Sequence, residues 1–523
     1  MYEILIKNGL VFDGTGSKGF LADIGISKGK IVEIGPLRHL RGKTEINAEG
    51  NYVCPGFIDI NNDADHYLSL FELPQFENLI RQGVTTIACG NCGASLAPLI
   101  KGSLASIQKW VNPSFFNVDW QTYGEFLNFL ERKGLGVNFL SLVGWATLRR
   151  DLAGEEFRPL KEGELKRLLS LVEKSLKEGA FGVSFGLGYS HERMVGLTEM
   201  IAVANLVKKY NGYLSVHLRD ESAKFLESLA EVIEAAQKTG ASFQISHLKI
   251  IGTPYWDKFD DGLEKIHQAF MDGLNINFDV YPYDINAQVL YLVLPEWLTI
   301  GGRKALIKNL KDPATRKKAL EDLKKNRHLY EKLVIADPGG QWILAAKSLE
   351  EIAENEGTSL EETLLRLLEI TNDRVIVFSP NISETNMIKA LKAKESIIAS
   401  NSAAYNLASG KKGILVHPRA FGTFPRFLGH YVREQKILTF EEAIHKITGK
   451  PALKIGLRDR GLIKKNYWAD ITIFNPEKII DKATLKSPFQ YPEGIENVII
   501  NGSLVYHRGL MEKKLLGQIL RRK

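Results

Sequence analysis

The stretch PGFIDINNDADHY (55–67) decides how this chain is read. Residues 52–60 are largely apolar, and the run ends abruptly in polar, ligand-type side chains. A buried barrel strand has this form when it delivers side chains to a site at its C-terminal end. Seven more short apolar runs follow: VTTIACG (84–90), VNFLSLVG (137–144), FGVSFGL (181–187), YLSVHLR (213–219), FQISHLK (243–249), INFDVYPY (276–283) and IIASNS (397–402). Helical stretches separate most of them. In KFLESLAEVIEAAQKTG, Phe225, Leu229, Val232, Ile233 and Ala236 fall on one helical face, and Gly240 suits the C-terminal stop. Eight such units predict an α/β fold, a (β/α)8 TIM-like barrel. A doubly wound open sheet is the competing reading, since periodicity does not tell a closed sheet from an open one.

Outward from the barrel, both chain ends have a different texture. EILIKNGLVFDG, ADIGISKGKIVEIG and TEINAEGNYV at the start, and GLIKKNYWADITIFN and IENVIINGSLVYHRG at the finish, alternate with period two between Gly or Asn-Gly turns. They predict a small β-sandwich-like domain built from both termini, residues 1–54 with 441–523, around a barrel at 55–440. Residues 285–395 are too long for one crossover and read as a helical insertion. The terminal MEKKLLGQILRRK reads as a solvated helix or tail.

Composition excludes several function classes. A net charge of +7 on 523 residues is small, and the basic residues are dispersed, so neither nucleic-acid nor membrane binding is expected. Three cysteines, Cys54, Cys89 and Cys92, do not make a disulfide framework and point to a reducing compartment. The N-terminus lacks signal-peptide character and no run has transmembrane length, so the expected location is cytoplasmic.

Ligand-type residues recur at the ends of the predicted strands: Cys92 after the second, His217 in the fifth, His247 in the sixth, Tyr281 and Tyr283 closing the seventh. A barrel brings these ends to one face. Cys, His and His make a three-ligand zinc set with a position open for water. Taken singly, each residue is more often buried structure than a ligand. CGNC (89–92) also has CxxC spacing, but no second CxxC accompanies it, and residues three apart on an extended segment face opposite sides.

With these residues in place, the chain resembles the D-aminoacylase (N-acyl-D-amino-acid deacylase) family of the amidohydrolase superfamily. The resemblance runs almost end to end, through KNGLVFDGTG, VCPGFIDI, QGVTTIACGNCGASLAP, LVGWATLR, VHLRDE, ISHLKIIG, DVYPY, HPRAFGTFPRFLGHY and GLIKKNYWADITIFNP. It implies one tightly held zinc on Cys92, His217 and His247. It further implies a grip on the substrate carboxylate by Tyr189, Lys249, Tyr283 and Arg419, with an N-acylated amino acid as partner. Arg supplies a bidentate fork, Lys a point charge, and the phenols neutral hydrogen bonds.

The chain departs from the family pattern at three places. The His-x-His pair that follows PGFID in such enzymes is Asn61-Asn62-Asp63, which removes two imidazoles from a second metal position. The catalytic Asp after the eighth strand matches Asn401, and the usual VGH reads VGW, with Trp145. Asn401 can orient water but cannot accept and return a proton at neutral pH. Two functions follow as expectations. One is an amidohydrolase in which Asp63, Asp65 or His66 supplies the base. The other is a catalytically silent protein that binds zinc and an acylated amino acid. A purely structural partner role has no feature in its favour.

Overall fold

The alternating segments at the two chain ends pair with each other. In the computed structural model, which describes residues 1–101, 104–154 and 156–522, a nine-stranded sheet combines both. Its strands are Tyr2–Val11, Phe20–Ser27, Lys30–Gly35, Gly42–Asn47 and Tyr52–Pro55 from one end, and Ile471–Phe474, Ile495–Ile500, Ser503–His507 and Leu510–Met511 from the other. Tyr52–Pro55 and Ile471–Phe474 make the antiparallel join. Period-two alternation puts Ile4, Ile6, Ile24, Ile26, Val53, Ile471 and Ile473 into one apolar cluster. The Asn501-Gly502 turn has φ values of 51° and 78°, the left-handed pair that a two-residue hairpin requires. The strands make up the expected small β domain of both termini, and its hydrogen bonds run as one branched sheet, with Gly42–Asn47 and Tyr52–Pro55 both on Tyr2–Val11.

The eight predicted barrel strands are all present: Phe57–Asp59, Val84–Cys89, Asn138–Ser141 with Val143–Gly144, Gly182–Gly186, Tyr213–His217, Ser242–Ile245, Ile276–Val280 and Ser396–Ile398. They run parallel in two arcs. The arcs share the third strand, which is kinked at Leu142: its first half pairs with the second strand and its second half with the fourth. On the opposite side, a parallel bridge joins Asn62 to Ser402. There the Asn401 N–H donates to Asn61 O (2.9 Å) and the Asp63 N–H to Ser402 O (2.7 Å). The eighth strand thus meets the first at the level of the site. Ile58, Ile60, Ala88, Leu140, Leu142, Ile397 and Ala399 pack together inside the ring, so it is a filled core and not a pore. The helix Phe225–Thr239 buries Phe225, Leu229, Val232 and Ala236, and Gly240 (φ 61°) caps it, as its periodicity predicts.

The segment between the seventh and eighth strands carries helices together with a small antiparallel sheet of Asn286–Val289, Ile376–Ser379 and Val334–Asp337. These strands are four residues each, too short for a period-two signal to stand out. The helices Phe440–Ile447 and Gly449–Ile455 pack on the first barrel strand, and the former also on the eighth, while Phe440 packs on Tyr52 and Phe474 of the terminal sheet. The C-terminal tail is not solvated. It crosses the N-terminal floor of the barrel, with Gly517 N–H on Leu135 O (2.8 Å), Phe139 N–H on Gln518 O (2.9 Å) and Leu520 N–H on Phe139 O (2.7 Å). No helix among the described residues is long and apolar enough to cross a membrane.

Candidate metal and carboxylate site

Each strand-end residue singled out in the sequence lies at the C-terminal rim of the barrel, because each follows or ends a parallel strand. His217 is the last residue of the fifth strand, and His247 stands two residues beyond the sixth. Cys92 follows the second strand in a turn. Cys92 and His247 both have left-handed backbones, φ 52° and 36°. Such conformations are disfavoured for side chains of this kind and cluster where a site dictates the geometry.

The three side chains converge. Cys92 Sγ lies 3.9 Å from His217 Nδ1 and 3.5 Å from His247 Nε2, and the two ring nitrogens are 2.9 Å apart. Donors around a tetrahedral zinc stand roughly 3.3–3.6 Å from one another, given zinc–nitrogen and zinc–sulfur bonds of about 2.0–2.3 Å. The observed separations bracket that range, and a thiol with two imidazoles is a donor set suited to zinc. Burial holds the His217 pKa well below its usual value, which keeps the imidazole neutral and able to ligate. Burial also pushes the Cys92 thiol up, so a thiolate there needs a cation beside it.

Behind this set stands Glu221, which the sequence reading passed over. Its Oε1 is 3.1 Å from His247 Nδ1 and 2.7 Å from Lys249 Nζ. Burial opposes its charge, but Lys249 with His217 and His247 holds the carboxyl far below the usual range. A carboxylate in this position fixes the ring orientation of a ligating histidine. Its place four residues after His217, in VHLRDE, was the available signal.

The donors open into a small chamber of about 40 Å³ that is also lined by Asp63, Tyr189, Lys249, Asn401 and Arg419. Arg419 is 7% exposed, and its Nε and Nη1 have no protein partner. Its guanidinium lies 4.7 Å from the centre of the Tyr281 ring. Buried unpaired guanidinium donors are costly unless an anion meets them. Tyr283 is placed differently from the other expected clamp residues. Its hydroxyl points to Asp481 Oδ2 (3.2 Å) and Pro418 O (3.5 Å), and it lines a separate void beside His247 and Lys249.

The three departures have distinct structural meanings. Asn61 donates to Asp279 Oδ1 (3.0 Å), and the same carboxylate oxygen accepts the His247 backbone N–H (2.8 Å). The residue thus supports the backbone of one donor. Trp145 is buried outside the chamber, with its Nε1–H on Glu199 (2.7 Å). Asn401 lines the chamber with a left-handed backbone, φ 45°.

Asp63 reaches the same chamber, and its Oδ1 is 3.2 Å from His66 Nδ1. His66 Nε2 faces the Ala94 carbonyl at 3.1 Å, so that nitrogen carries a hydrogen. The other nitrogen faces a carboxylate, so a further proton must lie between Asp63 and His66. Burial pulls the His66 pKa down, but Asp65 and then Asp63 outweigh it and raise it. The His66 ring stacks on Trp110 at 4.2 Å and 4°. Lys109 sits 4.0 Å over Trp110 and 3.7 Å over Tyr189. Neither Lys109 nor Trp110 carried a pattern in the sequence, since they lie in an irregular segment.

Comparison with known proteins fits this geometry. An Amidohydrolase family profile matches residues 413–506. The D-aminoacylase of Alcaligenes xylosoxydans xylosoxydans is 27% identical, covering 100% of this chain and 98% of that one. An N-acyl-D-glutamate deacylase of the same organism is 29% identical over 99% and 96%. The solved structure of N-acyl-D-glutamate deacylase from Bordetella bronchiseptica, complexed with zinc and a phosphonate inhibitor, is 25% identical, covers 99% of both chains and superposes with a TM-score of 0.83. A (β/α)8 barrel with a composite terminal sheet and a polar site at its C-terminal rim is the amidohydrolase arrangement. Within that superfamily the chain is similar along its whole length to the D-aminoacylase (N-acyl-D-amino-acid deacylase) family, hydrolases of carbon–nitrogen bonds other than peptide bonds.

Proposed function

We propose that this chain is a metal-dependent hydrolase of the amide bond in N-acyl amino acids of the D series. The reading is carried by one observation: the Cys92–His217–His247 donor set, the Lys249 and Arg419 cations and the Asp63 carboxylate line one chamber. Cys92, His217 and His247 would hold a single zinc ion. When bound, zinc supplies Lewis acidity towards the amide carbonyl and lowers the pKa of a water beside it.

The chain's own groups do the rest. Arg419, Lys249 and Tyr189 hold the substrate carboxylate, with Tyr283 supporting from the adjoining void. Asn401 stands where the family has aspartate and orients water through its amide. Asp63 takes the proton from water on its carboxylate, beside the already protonated His66 Nδ1, and returns it to the leaving amine. The Asp63–His66 pair replaces in function what Asn401 no longer provides.

Asn401 also favours a second reading, in which the protein holds zinc and an acylated amino acid without cleaving it. Metal analysis and an amine-release assay separate the two. The hydrolase reading expects about one zinc per chain, lost in Cys92→Ser. It expects amine release that falls about a hundredfold or more in Asp63→Ala and rises in Asn401→Asp. Zinc-loaded wild type that binds N-acyl-D-amino acids and releases no amine would establish the silent reading.

A further inference from the structure

The reacting chamber opens into a second, much larger one. The inner space is about 40 Å³ and the outer about 400 Å³. They share Tyr67, Trp110, Ala287, Ile376, Asn401 and Arg419, so one ligand can occupy both. The inner space accommodates little beyond a carboxylate and the scissile amide. The outer is of the size that takes a ligand far bulkier than an acetyl group.

Its walls are mostly apolar and held in place, with Glu72, Lys109, Asp337 and Arg374 as charged groups among them. Trp110 is clamped between the His66 ring and the Lys109 ammonium. Ile376 and Phe378 belong to a strand hydrogen-bonded on both sides, by Asn286–Val289 and by Val334–Asp337. His417 packs edge-on against Phe378 at 5.3 Å. Tyr405, Leu415 and Val416 complete the lining. A preformed apolar cavity of this kind takes an apolar group with little reorganisation.

We propose that the outer chamber is a subsite for a large apolar acyl group, a medium-length alkyl chain or an aryl ring. This rests on the hydrolase reading of the inner chamber for the orientation of the ligand. Lys249 and Tyr189 line only the inner space, so they hold the carboxylate at the closed end. The amino-acid side chain leaves from the carbon next to that carboxylate and stays near it. The acyl chain begins on the other side of the scissile bond and is the part that extends through the junction.

Calorimetric binding to the full-length, zinc-loaded protein tests the assignment with two ligand series. One is N-acyl-D-alanine from acetyl to dodecanoyl, with benzoyl and naphthoyl members. The other is N-acetyl-D-amino acids from alanine through leucine to tryptophan. In the acyl series, affinity is expected to rise about fourfold per added methylene until the chamber is full. The side-chain series is expected to stay nearly flat. Leu415→Trp, which narrows the chamber, should cut the gain short at a smaller acyl group while leaving N-acetyl-D-alanine binding unchanged; if it fails to fold, the wild-type series decide alone. A flat acyl series, or a gain confined to the side-chain series, overturns the subsite. Amine release assayed in parallel keeps the two proposals separate. A rising acyl series with no release supports the subsite and removes the hydrolase reading. Release from N-acetyl-D-alanine with a flat acyl series does the reverse.

Discussion

Glu221 shows how much of the site depends on side chains that touch no substrate. Its carboxylate spans His247 Nδ1 and Lys249 Nζ, so one residue orients both a proposed metal donor and the cation proposed to bind the carboxylate. Glu221→Gln keeps the shape and removes the charge. We expect it to weaken zinc retention about 10- to 100-fold, read by competition with a chelator, and to raise KM for N-acyl-D-amino acids through a misplaced Lys249. Unchanged zinc affinity would show that His247 is oriented by its backbone alone. Asn401 lies in a left-handed conformation that asparagine and aspartate both tolerate, so Asn401→Asp changes chemistry without backbone strain. Cys92, His217 and His247 were legible in the sequence because a barrel topology converts strand-end positions into neighbours. Lys109 and Trp110 were not, since irregular segments give no rule for which side chain turns inward. Tyr283 looked equivalent to Lys249 and Arg419 in the sequence, yet its hydroxyl turns to Asp481.

Among the elements, the seam between the first and eighth strands has an ionisable lock. Asp59, the last residue of the first strand, accepts hydrogen bonds from the Ser400 backbone N–H (2.8 Å) and from Asn62 Nδ2 (2.8 Å). Burial raises its carboxyl to about 7. The folded state therefore binds a proton that the unfolded chain, near 3.9, has released. The stability from this group is full below pH 4 and is lost as pH rises through 7, at no more than about 1.4 kcal/mol per pH unit. Thermal unfolding between pH 5 and 8 should show that downward slope, and Asp59→Asn should reduce it. A variant with the wild-type slope would remove Asp59 from the account. A second lock lies at the opposite end, where Lys454 Nζ donates to Phe243 O (2.7 Å), Asn275 O (3.1 Å) and Asn275 Oδ1 (2.9 Å). Lys454→Met removes the side-chain donor from Phe243 O and from Asn275 Oδ1, while Asn275 O keeps the Phe243 N–H, an expected loss of about 1–3 kcal/mol in denaturant melts. Neither lock was visible beforehand, although all eight strands were. Apolar periodicity reports which segment is buried, not which distant polar partner it meets.

For the whole molecule, the ring is braced by its own end. Residues 515–522 cross the barrel floor, where Leu516 and Ile519 pack on the main core and the Arg522 N–H donates to Gly179 O (3.0 Å). Truncation after Lys514 removes this strap and is expected to cost about 3–6 kcal/mol from lost hydrogen bonds and apolar burial. Unfolding midpoints in urea would measure it, and an unchanged midpoint would mean that the floor closes without the strap. The composite sheet was legible because both termini alternate with the same period. The strap was not, because a short charged segment has the composition of a solvated tail. Its position has a bearing on biosynthesis. The floor strap is made after every barrel strand it braces, and the sheet that pairs Tyr52–Pro55 with Ile471–Phe474 waits for more than 400 intervening residues to be made. Throughout elongation the nascent barrel has an uncovered base and unpaired strand edges, the state in which chaperone capture matters most.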